Sequence, residues 1–323
     1  MFETGTNDHL IRSQLWSTFL KEEFNDVLMG TGFVQMLSEF PDGDTFNIPS
    51  VGQATVENYV EGNAVNYRNL DTGNFTFTIT EYVASGHAIT EKMKQDSVYA
   101  NQVISSFPAK QARAIAEKME KDMFEKMNVG QTAGNVNLIN GGRHRFVAND
   151  TVNTNFKTIG LEDFAKAHYS LKKAEVPLTN LVAVVDPSVA YHLNTLTNLV
   201  NVSNNPQWEG IITSGLSDQT GLKFIRNIYG FDVYVSNYLP TVGVETVDSV
   251  STSAGAVANY FFSAAPEALP LIGAVRQAPK VDSEYNKDLQ REEYVTTARW
   301  GMKLYRPESL VTVLSDDGAN FVF

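Results

Sequence analysis

Imidazoles are the side chains best suited to acid–base or metal chemistry at neutral pH, and this chain has five: His9, His87, His144, His168 and His192. No two share metal-ligand spacing, and the His-Glu-x-x-His pattern is absent. No cysteine occurs, which excludes disulfides, thiolate nucleophiles, iron–sulfur clusters and cysteine-ligated zinc. Neither a Gly-x-Ser-x-Gly elbow nor a Walker loop is present. Gly30-Thr31-Gly32 lacks the third glycine and the preceding strand of a dinucleotide fold. Asp42-Gly43-Asp44 and Asp316-Asp317-Gly318 are too short for a calcium loop and read as turns. The pairs Glu22-Glu23 and Glu292-Glu293 read as solvated faces. Residue types and spacing therefore predict no catalytic residue, no metal ligand and no cofactor; only convergence of distant residues in space could supply a site.

Charge narrows the partners. Lys and Arg total 25 against 37 Asp and Glu, a formal net charge of −12 over 323 residues. A protein that grips nucleic acid neutralises phosphates with clustered cations. The densest basic cluster here, Gly141-Gly142-Arg143-His144-Arg145, is short and has no interleaved aromatics. A negative wall suits a container for nucleic acid better than a clamp. No run approaches the ~20 apolar residues of a membrane helix, and no basic segment followed by an apolar run opens the chain, so neither a membrane span nor a secretory signal is expected.

The elements follow from periodicity. Residues 1–40 read as an arm with one amphipathic helix, capped at Asn7 or Asp8, with Ile11, Leu15 and Phe19 four apart beside Trp16. In residues 41–89, Phe46 and Ile48, then Phe75, Phe77 and Ile79, alternate with polar residues around turn-forming glycines. This predicts a long two-armed β-excursion, and since an isolated hairpin is marginal in water, it must lie against something outside its own domain. Thr90 caps a helix expected to reach about Ser105, and Pro108 opens a second one. Its stripe is Ile115, Met119, Met123 and Met127, with four-apart pairs Glu117–Lys121 and Lys118–Asp122 outside. Residues 128–158 read as loop and short hairpin, Leu161–Ala174 as helix and Leu181–Val185 as a buried strand. Asp186-Pro187 caps a helix carrying Val189, Ala190 and Leu193, and residues 200–222 form a surface loop. Strands pair around Gly230, another covers Ala258–Phe262, and strands flank Trp300-Gly301 and the turn at Arg306-Pro307-Glu308. The order is α+β without regular βαβ alternation.

Three segments then carry a resemblance: Val184-Val185-Asp186-Pro187, the run Tyr229–Pro240 (YGFDVYVSNYLP) and the run Ala298–Glu308 (ARWGMKLYRPE). In this order, with the arm, β-excursion and long helix before them, the chain resembles the Hong Kong ninety-seven-type capsid fold of tailed-bacteriophage major capsid proteins over essentially its whole length. The resemblance implies an α+β capsid fold with an N-terminal arm at 1–40 crossing onto a neighbour and an extension loop at 41–89. It implies a peripheral domain with a long spine helix at 90–158 and 280–323, and an axial domain at 159–279. It also implies assembly into hexamers and pentamers of an icosahedral shell that encloses double-stranded DNA without sequence-specific binding. The chain would occur in the virion capsid, and in the host cytoplasm during assembly.

Some relatives weld the shell through a lysine of the extension loop. None lies between Lys21 and Lys92 here, so that crosslink is not expected. Only about forty residues precede the β-loop, which implies a separate scaffolding protein, alongside a portal and a possible decoration protein. Inter-subunit contacts are expected at Trp16, Phe19, Arg68, Phe75 and Phe77; a loop arginine such as Arg68 can grip a neighbour's carboxylate bidentately. The competing readings are an encapsulin-like bacterial compartment sharing the fold, a hydrolase or lyase with dispersed acidic residues, and a phage decoration or adhesion protein.

Overall fold

The structure, a computed structural model, describes residues 30–37, 45–51, 56–58, 61–62, 64, 72–96, 100–132, 134–153, 156–196 and 224–316. Four strands open the described chain: β1 (Val34–Met36), β2 (Thr45–Val51), β3 (Thr72–Thr78) and β4 (Glu81–Thr90). Helices α1 (Glu91–Asp96) and α2 (Ala100–Gly130) follow. Short strands β5 (Leu138–Ile139), β6 (Gly142–Arg143), β7 (Arg145–Val147), β8 (Asp150–Asn153) and β9 (Phe156–Thr158) lead to α3 (Leu161–Lys173). Then come β10 (Leu181–Val185), α4 (Pro187–Thr195), β11 (Phe224–Ile228), β12 (Phe231–Val235), β13 (Thr241–Val242), β14 (Thr246–Val247) and β15 (Val250–Ser251). Strands β16 (Ala256–Ser263), β17 (Leu271–Asn286), β18 (Arg291–Leu304) and β19 (Leu310–Ser315) complete the fold.

Two sheets organise these elements. The larger has the order β11-β12-β10-β16-β19-β7, with β13 also paired to β16. Its central strands β10, β16 and β19 are buried at every residue, because each face is covered. Successive side chains of a strand point to opposite faces. Val182, Val184, Tyr260, Phe262, Leu310 and Leu314 accordingly meet Ile115, Met123, Phe124 and Met127 of α2 in one core. Leu181, Ala183, Val185, Phe261, Val311 and Val313 meet Phe164, Ala167 and Leu171 of α3 and Val189 and Leu193 of α4 in another. Two-sided burial is why β10 reads as an unbroken apolar run, and β16 and β19 as runs broken inside only by Asn259 and Thr312.

The smaller sheet has the order β1-β17-β18-β4. Its body is the hairpin of β17 and β18, of 16 and 14 residues, joined from Leu271↔Leu304 out to Asn286↔Arg291. Helix α2 lies against this sheet through Gln111. The amide nitrogen of Gln111 donates to the carbonyls of Ser85 (3.1 Å) and Tyr294 (3.2 Å), and its oxygen accepts from Thr296 Oγ1 at 2.7 Å. One buried glutamine thus ties the helix to two neighbouring strands.

Several sequence expectations meet their residues directly. The Asp186 side chain accepts from the Ser188 N–H at 3.0 Å, with Pro187 at the first helical position of α4. Thr90 Oγ1 accepts from the Met93 N–H at 3.3 Å, the expected cap of α1. Elsewhere the structure differs. α2 begins at Ala100 and runs through Pro108 for 31 residues, about 46 Å at ~1.5 Å per residue. A proline inside a helix removes one N–H bond to the carbonyl four residues back, and the apolar stripe beyond it anchors the rest to the core. Glu117 pairs with Arg113 (2.9 Å) rather than with Lys121, whose ammonium stands 5.3 Å above the Tyr238 ring. The expected Lys118–Asp122 pair does form. The region around Trp300-Gly301 is one strand, β18, and its partner β17 has no counterpart in the sequence reading. Strands β7 and β19, from the 90–158 and 280–323 segments, hydrogen-bond into the large sheet. The arm at 1–29 and the loop at 200–222 lie outside the described residues.

Candidate assembly surface

The hairpin of β2 and β3 is anchored at its base on the small sheet. Its strands pair from Thr45↔Thr78 to Val51↔Thr72. At the base, Phe77 and Ile79 are buried with Ile272 and Ala274 of β17. The chain crosses β18 at Gly301, where a Cβ would sit 2.8 Å from the Ile79 Cα and 2.9 Å from the Thr78 carbonyl oxygen. Only glycine permits that approach. Lys303 Nζ donates to the Thr76 carbonyl at 2.8 Å and stands 4.7 Å above the Phe75 ring, which meets the Tyr305 ring edge-on at 5.0 Å. Toward the tip, Val56 is 95% exposed, and Glu57, Asn58, Glu61, Gly62 and Ala64 are exposed too. At these described positions the hairpin presents exposed side chains.

The small sheet adds an open edge. β1 pairs β17 at Leu271, Ile272 and Gly273 alone, and Leu37 adds one bond to the Gly273 carbonyl at 2.8 Å. Beyond that rung no described strand pairs the outer side of β17, and Val275, Val281 and Tyr285 are each more than 40% exposed along it. Such an edge is a template for another strand. Here it carries Pro279, two register shifts between Val275 and Lys280, and the charges Lys280, Asp282 and Glu284, the usual devices that blunt promiscuous pairing.

The basic cluster proves to be structural. Arg145 is fully buried and donates from Nε and Nη2 to both oxygens of Glu245 (2.7–3.2 Å) and from Nη1 to Asn128 Oδ1 (3.0 Å). It thereby joins β7, the end of α2 and the loop before β14. Arg143 pairs with Asp248 at the surface. His144 is buried, with Nδ1 3.2 Å from the Gly142 carbonyl and Nε2 3.1 Å from that of Glu308. Burial holds its imidazole below the ordinary value of 6.5, against the pull of those two carbonyls. Tyr260, also buried, donates to the Phe124 carbonyl at 2.7 Å, and burial lifts its phenol well above the ordinary range.

The other described histidines are equally occupied. His87 Nδ1 lies 2.9 Å from Gln111 Nε2, His192 Nε2 lies 3.2 Å from Asp150 Oδ2, and His168 packs edge-on against Phe231. His9 lies outside the described residues. Among the described residues no group of three or more His, Asp or Glu could hold a metal ion, and no helix is long and apolar enough to cross a membrane.

This architecture, with its anchored hairpin, long helix and two sheets, meets its match in sequence. A family described as "Phage capsid protein" matches residues 74–313, more than half of the chain. The chain belongs to the phage capsid protein family. Solved structures agree on the fold. The cyanophage Pam1 capsid asymmetric unit aligns with TM-score 0.68 at 14% identity, covering 99% of this chain and 100% of that one. A Mycobacterium phage Che8 chain aligns at 0.67 and 17% identity, covering 94% and 97%. The capsid structure of cyanophage P-SCSP1u aligns at 0.68 and 15%, covering 97% and 94%. No curated protein matches the sequence significantly. The protein is a structural phage capsid protein, a subunit of the virion's capsid. The family match and the phage-capsid neighbours do not favour the encapsulin-like compartment.

The expected contact residues of this capsid subunit fall in different places. Trp16, Phe19 and Arg68 lie outside the described residues. Phe75 is half-buried against Tyr305 and Lys303. Phe77 is 0% exposed within its own chain. It cannot meet a neighbour, because the strand alternation that marks it as apolar directs it onto β17; we correct that expectation. Sequence reasoning also passed over Gln111 and Asn259, and gave Gly301 no packing role. Asn259 is the polar exception in the apolar run of β16. It donates to the carbonyls of Val257 and Val313 and to Ser315 Oγ, and accepts from the Asp186 N–H (2.9–3.2 Å). A lone amide in an apolar run was the available signal.

Proposed function

We propose that this capsid subunit assembles as hexamers and pentamers into a closed icosahedral head around double-stranded DNA, held without sequence-specific contacts. The observation that carries the reading is the β2–β3 hairpin, packed by Phe77 at its base and 95% exposed at Val56. A hairpin is marginal alone, so a neighbouring subunit supplies its cover. In this reading residues 1–40 are the arm and 41–89 the extension loop. The peripheral domain is built from 90–158 and 280–323 with α2 as its spine, and the axial domain from 159–279. The bonds of β7 and β19 to the large sheet lead us to carry those two strands with the axial part.

Trp16, Phe19, Arg68 and Phe75 are the proposed contacts with neighbouring subunits. Many weak contacts repeated around a closed shell supply stability that no single interface has. The loop offers no lysine for a covalent weld. A separate scaffolding protein guides assembly in the host cytoplasm, and a portal and a decoration protein complete the set of partners.

Negative-stain electron microscopy of the purified protein, with and without co-expressed scaffolding protein, tests the reading. Closed shells or capsomer rings are expected; a monodisperse monomer under both conditions overturns it. Replacing Arg68 (Arg68→Ala) should leave the monomer folded and weaken assembly. Normal shells with unchanged heat resistance would remove Arg68 from the contact.

A further inference from the structure

Between α3 and the β14–β15 hairpin lies a cleft of about 370 Å³. Phe146, Val147, Tyr169, Val247 and Val250 line it, together with the charged Arg143, Lys166 and Asp248. Tyr169 is 54% exposed and Val250 39%, so apolar surface remains open at the mouth. The volume is at the small end of the roughly 300–1,000 Å³ of ligand pockets, a size suited to a few apolar side chains.

The chain leaves the large sheet beside this cleft. Asp316, which follows β19, accepts from the Ser253 N–H at 2.7 Å and from the Lys157 N–H at 3.2 Å. Lys157 Nζ in turn donates to the Ser251 carbonyl at 2.9 Å. Ser251 is adjacent in β15 to Val250, which lines the cleft. Three residues separate Ser253 from Val250, roughly 10 Å at ~3.3 Å per residue.

The sequence beyond Asp316 is Asp317-Gly318-Ala319-Asn320-Phe321-Val322-Phe323. Asp-Gly is turn chemistry that lets a chain reverse. Five residues then carry Phe321 up to roughly 17 Å from Asp316, far enough to enter. In an extended segment, residues 321 and 323 face the same side, so both phenyl rings can enter one apolar cleft. We propose that this cleft is the docking site of the chain's own C-terminal segment, with Phe321 and Phe323 filling the space between α3 and the β14–β15 hairpin. The proposal goes beyond the shell reading and does not depend on it, since it can be read on unassembled subunits.

The cysteine-free chain makes disulfide trapping clean. The full-length double variant Phe323→Cys/Val250→Cys is compared with Phe323→Cys/Leu289→Cys, whose second site is exposed in the β17–β18 turn. Docking should raise the local concentration and give intrachain disulfide about tenfold faster at Val250. Equal rates for the two pairs overturn the proposal, and so does a link that joins only two chains, which would mean a second copy's segment fills the cleft. A second measurement leaves the cleft unmutated. In Phe321→Ala/Phe323→Ala, amide hydrogen exchange of residues 247–251 should be several-fold faster than in the parent, and unchanged exchange overturns docking.

Discussion

Removing the carboxylate of Glu245 should destabilise the subunit more than most single substitutions. Arg145 has no exposed side-chain surface, while Glu245 retains 13%. Three donor–acceptor contacts of 2.7–3.2 Å join them, and among the described residues Asn128 supplies a further partner, at 3.0 Å. In Glu245→Ala the guanidinium stays buried with that neutral amide as its remaining partner among the described residues. Breaking one side of a buried pair costs about 3–5 kcal/mol, because the remaining charge is uncompensated. At the lower end of the size scaling, about 2 °C per kcal/mol, the midpoint should fall by about 6–10 °C. Differential scanning calorimetry of the unassembled subunit measures it. The mechanism makes a second demand: replacing both partners with apolar residues, Arg145→Met/Glu245→Leu, should recover most of the loss. A Glu245→Ala midpoint within 1 °C of the parent would refute the reasoning. A double variant as unstable as the single one would show that packing, not the stranded charge, sets the cost.

Two further outcomes follow from the same geometry. Because burial holds His144 below 6.5, the unfolded chain binds a proton that the folded chain resists; stability is full above that value and falls as pH drops below it. Urea titrations at pH 7.5 and 5.5 should show a loss that His144→Gln lacks, and parallel losses would remove this role. Gly301→Ala puts a methyl 2.8 Å from the backbone of Ile79, and overpacking of that kind costs about 1–3 kcal/mol. Its mark should be faster proteolysis within residues 52–71 together with a lower midpoint; unchanged proteolysis would show that the hairpin base shifts freely.

Sequence periodicity determined the elements whose signal is local. The alternation of Phe75, Phe77 and Ile79, the Asp186-Pro187 cap and the apolar run of β10 each record a neighbour one or two residues away or burial on both faces. The family was also legible, from three short runs in a fixed order. Long-range pairing decided the rest. β17 escaped because an exposed edge strand needs no apolar alternation; its partner β18 holds it through the backbone. Pro108 suggested a helix start, yet the tertiary contacts of α2 outweigh one missing N–H bond. Phe77 was expected to meet a neighbour, but an apolar alternation shows only that a side chain needs burial, and its own chain buries it. Arg145 read only as part of a short basic cluster until Glu245, 100 residues later, was brought beside it. By itself the sequence determined which residues need burial and which turns are possible; only the tertiary structure decided what buries them, because a side chain's pattern records the need for a partner and not the partner's place in the chain.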